Sequence, residues 1–282
     1  MTDLTGKTAF ITGAARGIGA ETARRLIRRG ANVALADVRT DLLEPLVASL
    51  GDQAVAFEAD VRDWDSLERA VEGAVERFGG LDVVMANAGV APIGPVQTID
   101  PADWERTIDV NLLGVFRTVR VALPHVLERR GYFLLVASLA AQVHAPFMSH
   151  YAAAKAGVEA LGDSLRIEVA HQGVGVGVAY FGFIDTDMVR EAEQTPEVAG
   201  LRDRGPGIFT QAVPVQVAAE ASVRGMERRG RRVVAPRGVL PVVMTPGVSQ
   251  RISELGVRGA VPQAIRTAVD NAAKRPPVDQ RA

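Results

Sequence analysis

The chain has 282 residues, 48% of them hydrophobic, a formal net charge of −1 and no cysteine. That length suits one large α/β domain or two small ones, and the composition argues against disordered and fibrous classes. The near-zero charge gives no global case for nucleic acid, and the lack of thiols excludes disulfides, thiolate catalysis and cysteine-ligated metals.

Residues 7–12 (KTAFIT) read as a first strand that begins almost at once, with no basic-plus-apolar leader before it. No apolar run approaches the roughly 18–20 residues of a membrane span, so a cytoplasmic protein is expected. The strand leads into Gly13, Arg16, Gly17, Ile18 and Gly19, and then into a helix. Strand, glycine-rich turn and helix form the setting of a phosphate-binding loop. Glycines let the backbone turn sharply and approach a pyrophosphate on the helix N-terminus. Residues 32–36 are a second strand, followed by Asp37. An acidic residue about 20 positions past the glycines fits a ribose hydroxyl and repels a 2′-phosphate, which favours NAD. Arg16 and Arg39 keep NADP open, and a plain turn or N-cap is the other reading of Asp37.

Residues 53–57 are a third strand, followed by Asp60, Val61 and a helix over 63–78 with one apolar stripe. Residues 81–85 form a fourth, almost wholly apolar strand that ends in Ala86, Asn87, Ala88 and Gly89. Residues 101–130 predict one or two helices kinked at Pro124. Asn111 in their interior has poor propensity, so it is either exposed or specifically partnered. Strands over 132–138 and 173–180, a helix to 172, a helix over 215–229 and a strand over 232–235 complete the pattern. Alternating strands and helices imply a parallel, doubly wound sheet with ligands beyond the strands' carboxyl ends. The tail joins an apolar piece, 238–248, to a helix over 262–273.

Within 138–155, a strand end presents Ser138, and an alanine-rich helix presents Tyr151 and Lys155 on one face. A cation beside a phenol favours the phenolate, so Tyr151 is expected to have a lowered pKa and to exchange protons near neutrality. Taken alone, Tyr-x-x-x-Lys more often means a packed ring and a solvated charge. The four histidines have no metal spacing; His144 and His150 read better as ordinary loop residues than as substrate contacts. Phe147 and Met148 fit pocket walls and core packing equally.

Charge is unevenly spread. From Arg228 onward there are 11 Lys and Arg against 3 Asp and Glu, net +8, while the preceding residues carry 21 against 30, net −9. The favoured reading is a solvated arginine-rich tail. The sharper one is a docking surface for an acidic carrier, a CoA-type phosphate or an anionic membrane face.

In order, TGAARGIG (12–19), Asp37, Asp60-Val61, ANAG (86–89), Asn111, Ser138, YAAAK (151–155) and FIDT (183–186) resemble the short-chain dehydrogenase/reductase family, over roughly residues 5–236. The resemblance implies a single-domain, Rossmann-type, doubly wound parallel sheet of about seven strands with helices on both faces. It implies Tyr151 as general acid and base, with Lys155 on the nicotinamide ribose and lowering the tyrosine pKa. Ser138 would hold the substrate oxygen, and Asn111 a helix kink and a water linking Lys155 to solvent. Gly13, Arg16, Gly17, Ile18 and Gly19 would line the pyrophosphate, Asp37 the adenosine ribose, and Asp60 and Val61 the adenine. Asn87 would sit along the adenosine half, with Ala88 and Gly89 beside it as cofactor-binding residues, and Ile184 and Thr186 would hold the carboxamide. No metal is implied.

Three positions depart from the family pattern: Phe181-Gly182 in place of Pro-Gly, Ala86 in place of Asn, and Ala154 in place of a frequent serine. The function implied is an NAD(P)-dependent oxidoreductase interconverting a secondary alcohol and a ketone on a hydrophobic substrate, with residues 188–209 as a lid. The alternative is a non-catalytic dinucleotide-binding sensor or scaffold. An epimerase or dehydratase on a nucleotide sugar would need a larger C-terminal domain. Residues 1–236 are expected to form the catalytic domain. Residues 237–282 are expected to pack on it, on a neighbouring subunit or at the substrate entrance, and a homodimer or homotetramer is implied.

Overall fold

Side chains along each central strand alternate between two apolar cores, as the two-residue period of a strand requires. The computed structural model describes residues 1–193 and 212–273. In it, β1 (Thr8–Thr12), β2 (Asn32–Asp37), β3 (Ala54–Glu58), β4 (Val83–Ala86), β5 (Tyr132–Val136), β6 (Gly175–Phe181) and β9 (Arg232–Ala235) form one sheet. Their order is β3-β2-β1-β4-β5-β6-β9, and every neighbouring pair is parallel. A separate two-stranded pair joins β7 (Ile184–Asp185) to β8 (Val213–Pro214).

On one face Phe10, Val84, Phe133 and Val178 pack against α3 (Trp64–Phe78), α5 (Gly114–Glu128) and α6 (Ser149–Val169). On the other, Ile11, Leu35, Met85 and Leu134 pack against α1 (Gly17–Ile27), α2 (Thr40–Leu50) and α8 (Val215–Arg228). With both faces covered, the strands carry apolar residues at nearly every position, which is why they read as continuous apolar runs. Local chemistry sets the helix ends. The Asp63 side chain accepts from Asp65 N at the start of α3, and Gly79 ends that helix in the left-handed region at φ 79°.

The irregular turn in this helical segment lies before Pro124, the site of the expected kink. α4 (Pro101–Ile108) continues into α5 through a π-helical turn at Asp109–Leu113, and α5 runs on past Pro124. The continuous helix Pro101–Glu128, with a mean hydropathy of 1.2 over 18 residues, is apolar enough by length and composition to cross a membrane. Its apolar stripe of Val115, Val119, Ala122 and Val126 instead packs into the sheet core, so it is a core helix that the search for unbroken apolar runs passed over.

Gly182 N donates to Ala235 O at 2.8 Å and Val213 N to Phe183 O at 3.0 Å, so the segment that departs from Pro-Gly is tied to two strand ends. Ala154 is fully buried, where a serine hydroxyl would need a partner. Of the predicted lid, only 188–193 lies within the described residues; they belong to α7 (Asp187–Glu193). The tail forms α9 (Leu240–Met244), α10 (Pro246–Val257) and α11 (Val261–Ala273). Ala268 of α11, with Val261, Ala264 and Ile265, packs on Phe147 and Ile93.

Candidate active site

Strand order reverses between β1 and β4, and a doubly wound sheet opens its ligand crevice at such a point. The two strand ends are laced together there. Asn87 N and Ala88 N donate to Thr12 Oγ1 at 3.1 and 3.3 Å, and Asn87 Nδ2 donates to the carbonyls of Thr12 and Gly13 at 3.0 Å. Asn87 therefore holds the loop's shape through its side chain. Thr12, buried and central to this lacing, was visible only as the first letter of TGAARGIG and not as a functional residue.

The loop needs its glycines for space. A Cβ on Gly13 would lie 2.7 Å from Ala88 Cα, and one on Gly19 2.4 Å from Gly13 O. Gly13 also sits at φ 64° and Gly17 at φ 57°, a region most side chains avoid. Arg16, extended at the N-cap of α1, makes no side-chain cap, so the first N–H groups of α1 remain for an anion. Ile18 packs on the core beneath them. Asp37 Oδ2 accepts from Ala15 N at 2.9 Å and Oδ1 from Arg39 N at 3.0 Å, so the carboxylate is fixed beside the turn. A glycine cradle open at a helix N-terminus, with a carboxylate at the next strand end, fits a dinucleotide.

Both arginines that left NADP open are held by carboxylates. Arg39 pairs with Asp41 at 2.7 Å, and Arg16 Nη1 lies 3.5 Å from Asp187 Oδ2. Asp60 is gripped by Arg62, whose hydrogen bond holds the carboxyl below its usual range. Val61 is buried against Leu67 and Val110. Ile184 is buried in β7, and the Thr186 methyl comes within 3.5 Å of where a Gly17 Cβ would stand, which brings that segment to the glycine turn.

Ser138 follows β5 and caps the short 3-10 turn Leu139–Ala141, accepting from Ala140 N at 3.1 Å. Tyr151 and Lys155 lie one turn apart on α6, with Lys155 Nζ 5.6 Å from the Tyr151 ring centroid. The structure corrects the expected charge coupling. Tyr151 keeps part of its surface exposed, but burial of its phenol raises the pKa above the ordinary value, and a hydrogen bond with Ser138 pulls it partly back. Lys155 Nζ donates to Val136 O at 2.7 Å instead of bonding the phenol, and burial brings the ammonium down to about 8. A buried cation is disfavoured, and so is a buried phenolate.

Asn111, fully buried in the π turn, accepts from Val90 N and donates to Val90 O, each at 2.8 Å. A Cβ on Gly89 would lie 3.3 Å from Asn111 Oδ1 and 3.8 Å from Lys155 Nζ, so Gly89 threads between them. A cavity of about 290 Å³ opens beside this point, lined by Arg16, Gly89, Val90, Pro92 and Met188. His150 faces the protein interior: Nε2 pairs with Pro92 O at 2.8 Å, and burial lowers its pKa. His144 N donates to Gln250 Oε1 at 2.7 Å. Sequence reading also missed the link between the 3-10 turn and α6, in which Glu159 accepts from Gln142, next to that turn, and from Tyr180 at 2.7 Å. Residues 38 positions apart carried no sequence signal of that meeting.

The site defines a class. Residues 7–197 match the family model for short chain dehydrogenases, and the chain belongs to that family. It is an oxidoreductase of CH–OH groups. The chain is 40% identical to (-)-trans-carveol dehydrogenase of Rhodococcus erythropolis over 209 residues, 67% of this chain and 75% of that one. It is 34% identical to 3beta-hydroxysteroid dehydrogenase 1 of Eggerthella lenta over 227 residues, 78% and 87% of the two chains. A solved structure of 3-ketoacyl-(acyl-carrier-protein) reductase from Brucella melitensis, complexed with NADH, matches with TM-score 0.74 and 27% identity, covering 82% of this chain and 97% of that one.

Proposed function

We propose that the protein interconverts a secondary alcohol and a ketone on an apolar substrate, with Tyr151 as the proton-transfer group and NAD(H) as the redox partner. The observation that carries this reading is the meeting of Ser138 and Tyr151 at the carboxyl end of β5, next to the glycine cradle. A nicotinamide dinucleotide, when bound, supplies or accepts the hydride. Asp37 takes the adenosine ribose, and its negative charge together with the occupied Arg16 and Arg39 supports NAD over NADP. Lys155 holds the second ribose, and Ile184 and Thr186 the carboxamide.

In reduction the neutral Tyr151 phenol gives its proton to the carbonyl oxygen, which Ser138 Oγ orients. In oxidation the phenolate takes the hydroxyl proton. Burial raises the phenol pKa above its ordinary value, which supports the protonated phenol as the donor in the reductive direction. The carveol and hydroxysteroid dehydrogenases among the relatives support an apolar substrate. The packing of α11 on Phe147 supports residues 237–282 as a wall of the substrate entrance on the domain formed by residues 1–236. Leu113 and Phe116, exposed on helix 101–128, support a homodimer or homotetramer built through that helix in the cytoplasm.

Tyr151→Phe tests the reading. Turnover should fall about 10²- to 10⁴-fold while NADH fluorescence still reports binding; a variant with full activity on a good substrate removes Tyr151 from the chemistry.

A further inference from the structure

Tyr151, Lys155 and Glu159 follow one another at four-residue steps along one side of α6. The first two have roles in the chemistry proposed above; Glu159 lies about 12 Å along the helix from Tyr151 and has none. Its carboxylate takes two donors. Oε1 accepts from the Tyr180 hydroxyl at 2.7 Å, and Oε2 accepts from Nε2 of Gln142. Tyr180 is 1% exposed and Gln142 7%, so their donors have little access to water. Burial, and after it Glu159, holds the Tyr180 phenol well above its ordinary pKa, which keeps it a donor. Both partners lead back to Ser138. Gln142 N donates to Leu139 O at 2.9 Å and closes the 3-10 turn that Ser138 caps. Tyr180 precedes Phe181, whose carbonyl oxygen lies 3.4 Å from Ser138 Oγ. A ring of contacts thus runs from α6 through Gln142 and the turn to Ser138, and returns through Phe181 and Tyr180.

We propose that Glu159 is a positioning residue: by gripping Gln142 and Tyr180 it holds the Ser138 hydroxyl beside the Tyr151 phenol. The proposal rests on Tyr151 as the proton-transfer group. Ser138 Oγ has one proton to donate, and Phe181 O competes with Tyr151 for it. At 3.4 Å the Phe181 contact is long; a small shift of the turn or of β6 would shorten it and turn the hydroxyl away from Tyr151. Glu159 opposes that shift, because it ties both segments to the helix that carries Tyr151. A carboxylate suits the task, since its two oxygens accept from two directions at once. The charged groups around it are engaged. Arg232 of β9 faces the Tyr180 phenol, Asp163 one turn further along α6 pairs with Arg166, and Lys155 one turn back donates to Val136 O. At about 12 Å the charge of Glu159 itself reaches Tyr151 only weakly.

The chain has 3 tyrosines, so carbon-13 at the tyrosine ζ position gives a small set of NMR signals that titrate without any substrate. Tyr151→Phe identifies the Tyr151 signal in the full-length protein. The Ser138 hydrogen bond pulls that phenol's pKa down, so displacement of Ser138 raises it. Glu159→Ala and Gln142→Ala should each move the Tyr151 titration upward by about half a pH unit or more, the contribution of one hydrogen bond, while NADH still binds. Glu159→Gln should keep the wild-type titration, because its amide still accepts from Tyr180 and donates to a reversed Gln142 amide. An unmoved titration in the alanine variants would overturn the proposal. So would a downward shift shared by Glu159→Ala and Glu159→Gln, which would mean that the carboxylate acts by charge alone. If Glu159→Ala does not fold, Gln142→Ala decides the matter. Full turnover by Tyr151→Phe would overturn the proton-transfer reading and leave the titration result standing, so the two fail separately.

Discussion

Asn111 holds Val90 by both of its backbone groups, accepting its N–H and donating to its carbonyl at 2.8 Å each, as a neighbouring strand would. This pins the loop after β4 to the π turn and passes Gly89 between Asn111 and Lys155. Asn111→Leu should strand two buried backbone groups and cost about 2–4 kcal/mol, together with a loss of turnover. An unchanged denaturation midpoint would show that Val90 finds other partners.

Two glycines separate space from propensity. Gly19→Ala places a methyl 2.4 Å from Gly13 O and 2.9 Å from Asn87 Nδ2, both fixed by the lacing of β1 to β4. NADH binding should fall at least about tenfold, because the cradle must open to admit the methyl. Gly256→Ala, on α10 with nothing within 4 Å, should be neutral or stabilise the protein by up to about 1 kcal/mol. Titration of NADH fluorescence and a thermal melt read both.

Lys155 makes stability depend on pH in a particular direction. Its folded-state pKa of about 8 lies below the ordinary 10.5, so between those values the unfolded chain holds a proton that the native chain has released. Stability from this group therefore rises with pH across that window, by about 3 kcal/mol in total. Lys155→Met removes the effect: the advantage of the variant should be greatest near pH 7 and shrink above pH 8. A melting difference that stays level from pH 7 to 10 would place the ammonium in solvent.

Asp37→Ala removes the acceptor for Ala15 N and Arg39 N together with the charge that repels a 2′-phosphate. The NADP-to-NAD ratio of kcat/KM should rise about tenfold or more. An unmoved ratio would take Asp37 out of the ribose site.

The sheet and the cofactor side were legible because their signals are local. A strand, a glycine turn and a helix lie within 20 residues, and covered strands must be apolar throughout. The candidate catalytic set was legible only as a spaced series, since no single member of Asn111, Ser138, Tyr151 and Lys155 is distinctive. The π turn escaped, because Pro124 is the strongest local breaker in the segment and no residue of Asp109–Leu113 carries a comparable signal.

By itself the sequence determined the doubly wound architecture, the glycine cradle, the carboxylate beside it and the phenol-ammonium pair on one helix face. Each follows from steric freedom or periodicity over a few neighbouring residues. Only the tertiary structure decided that burial raises the Tyr151 phenol against its hydrogen bond with Ser138, that Lys155 turns to Val136, and that His150 looks inward to Pro92. It alone also shows Glu159 joining Gln142 to Tyr180. These outcomes depend on desolvation and on partners 17 to 58 positions away, which no local pattern encodes.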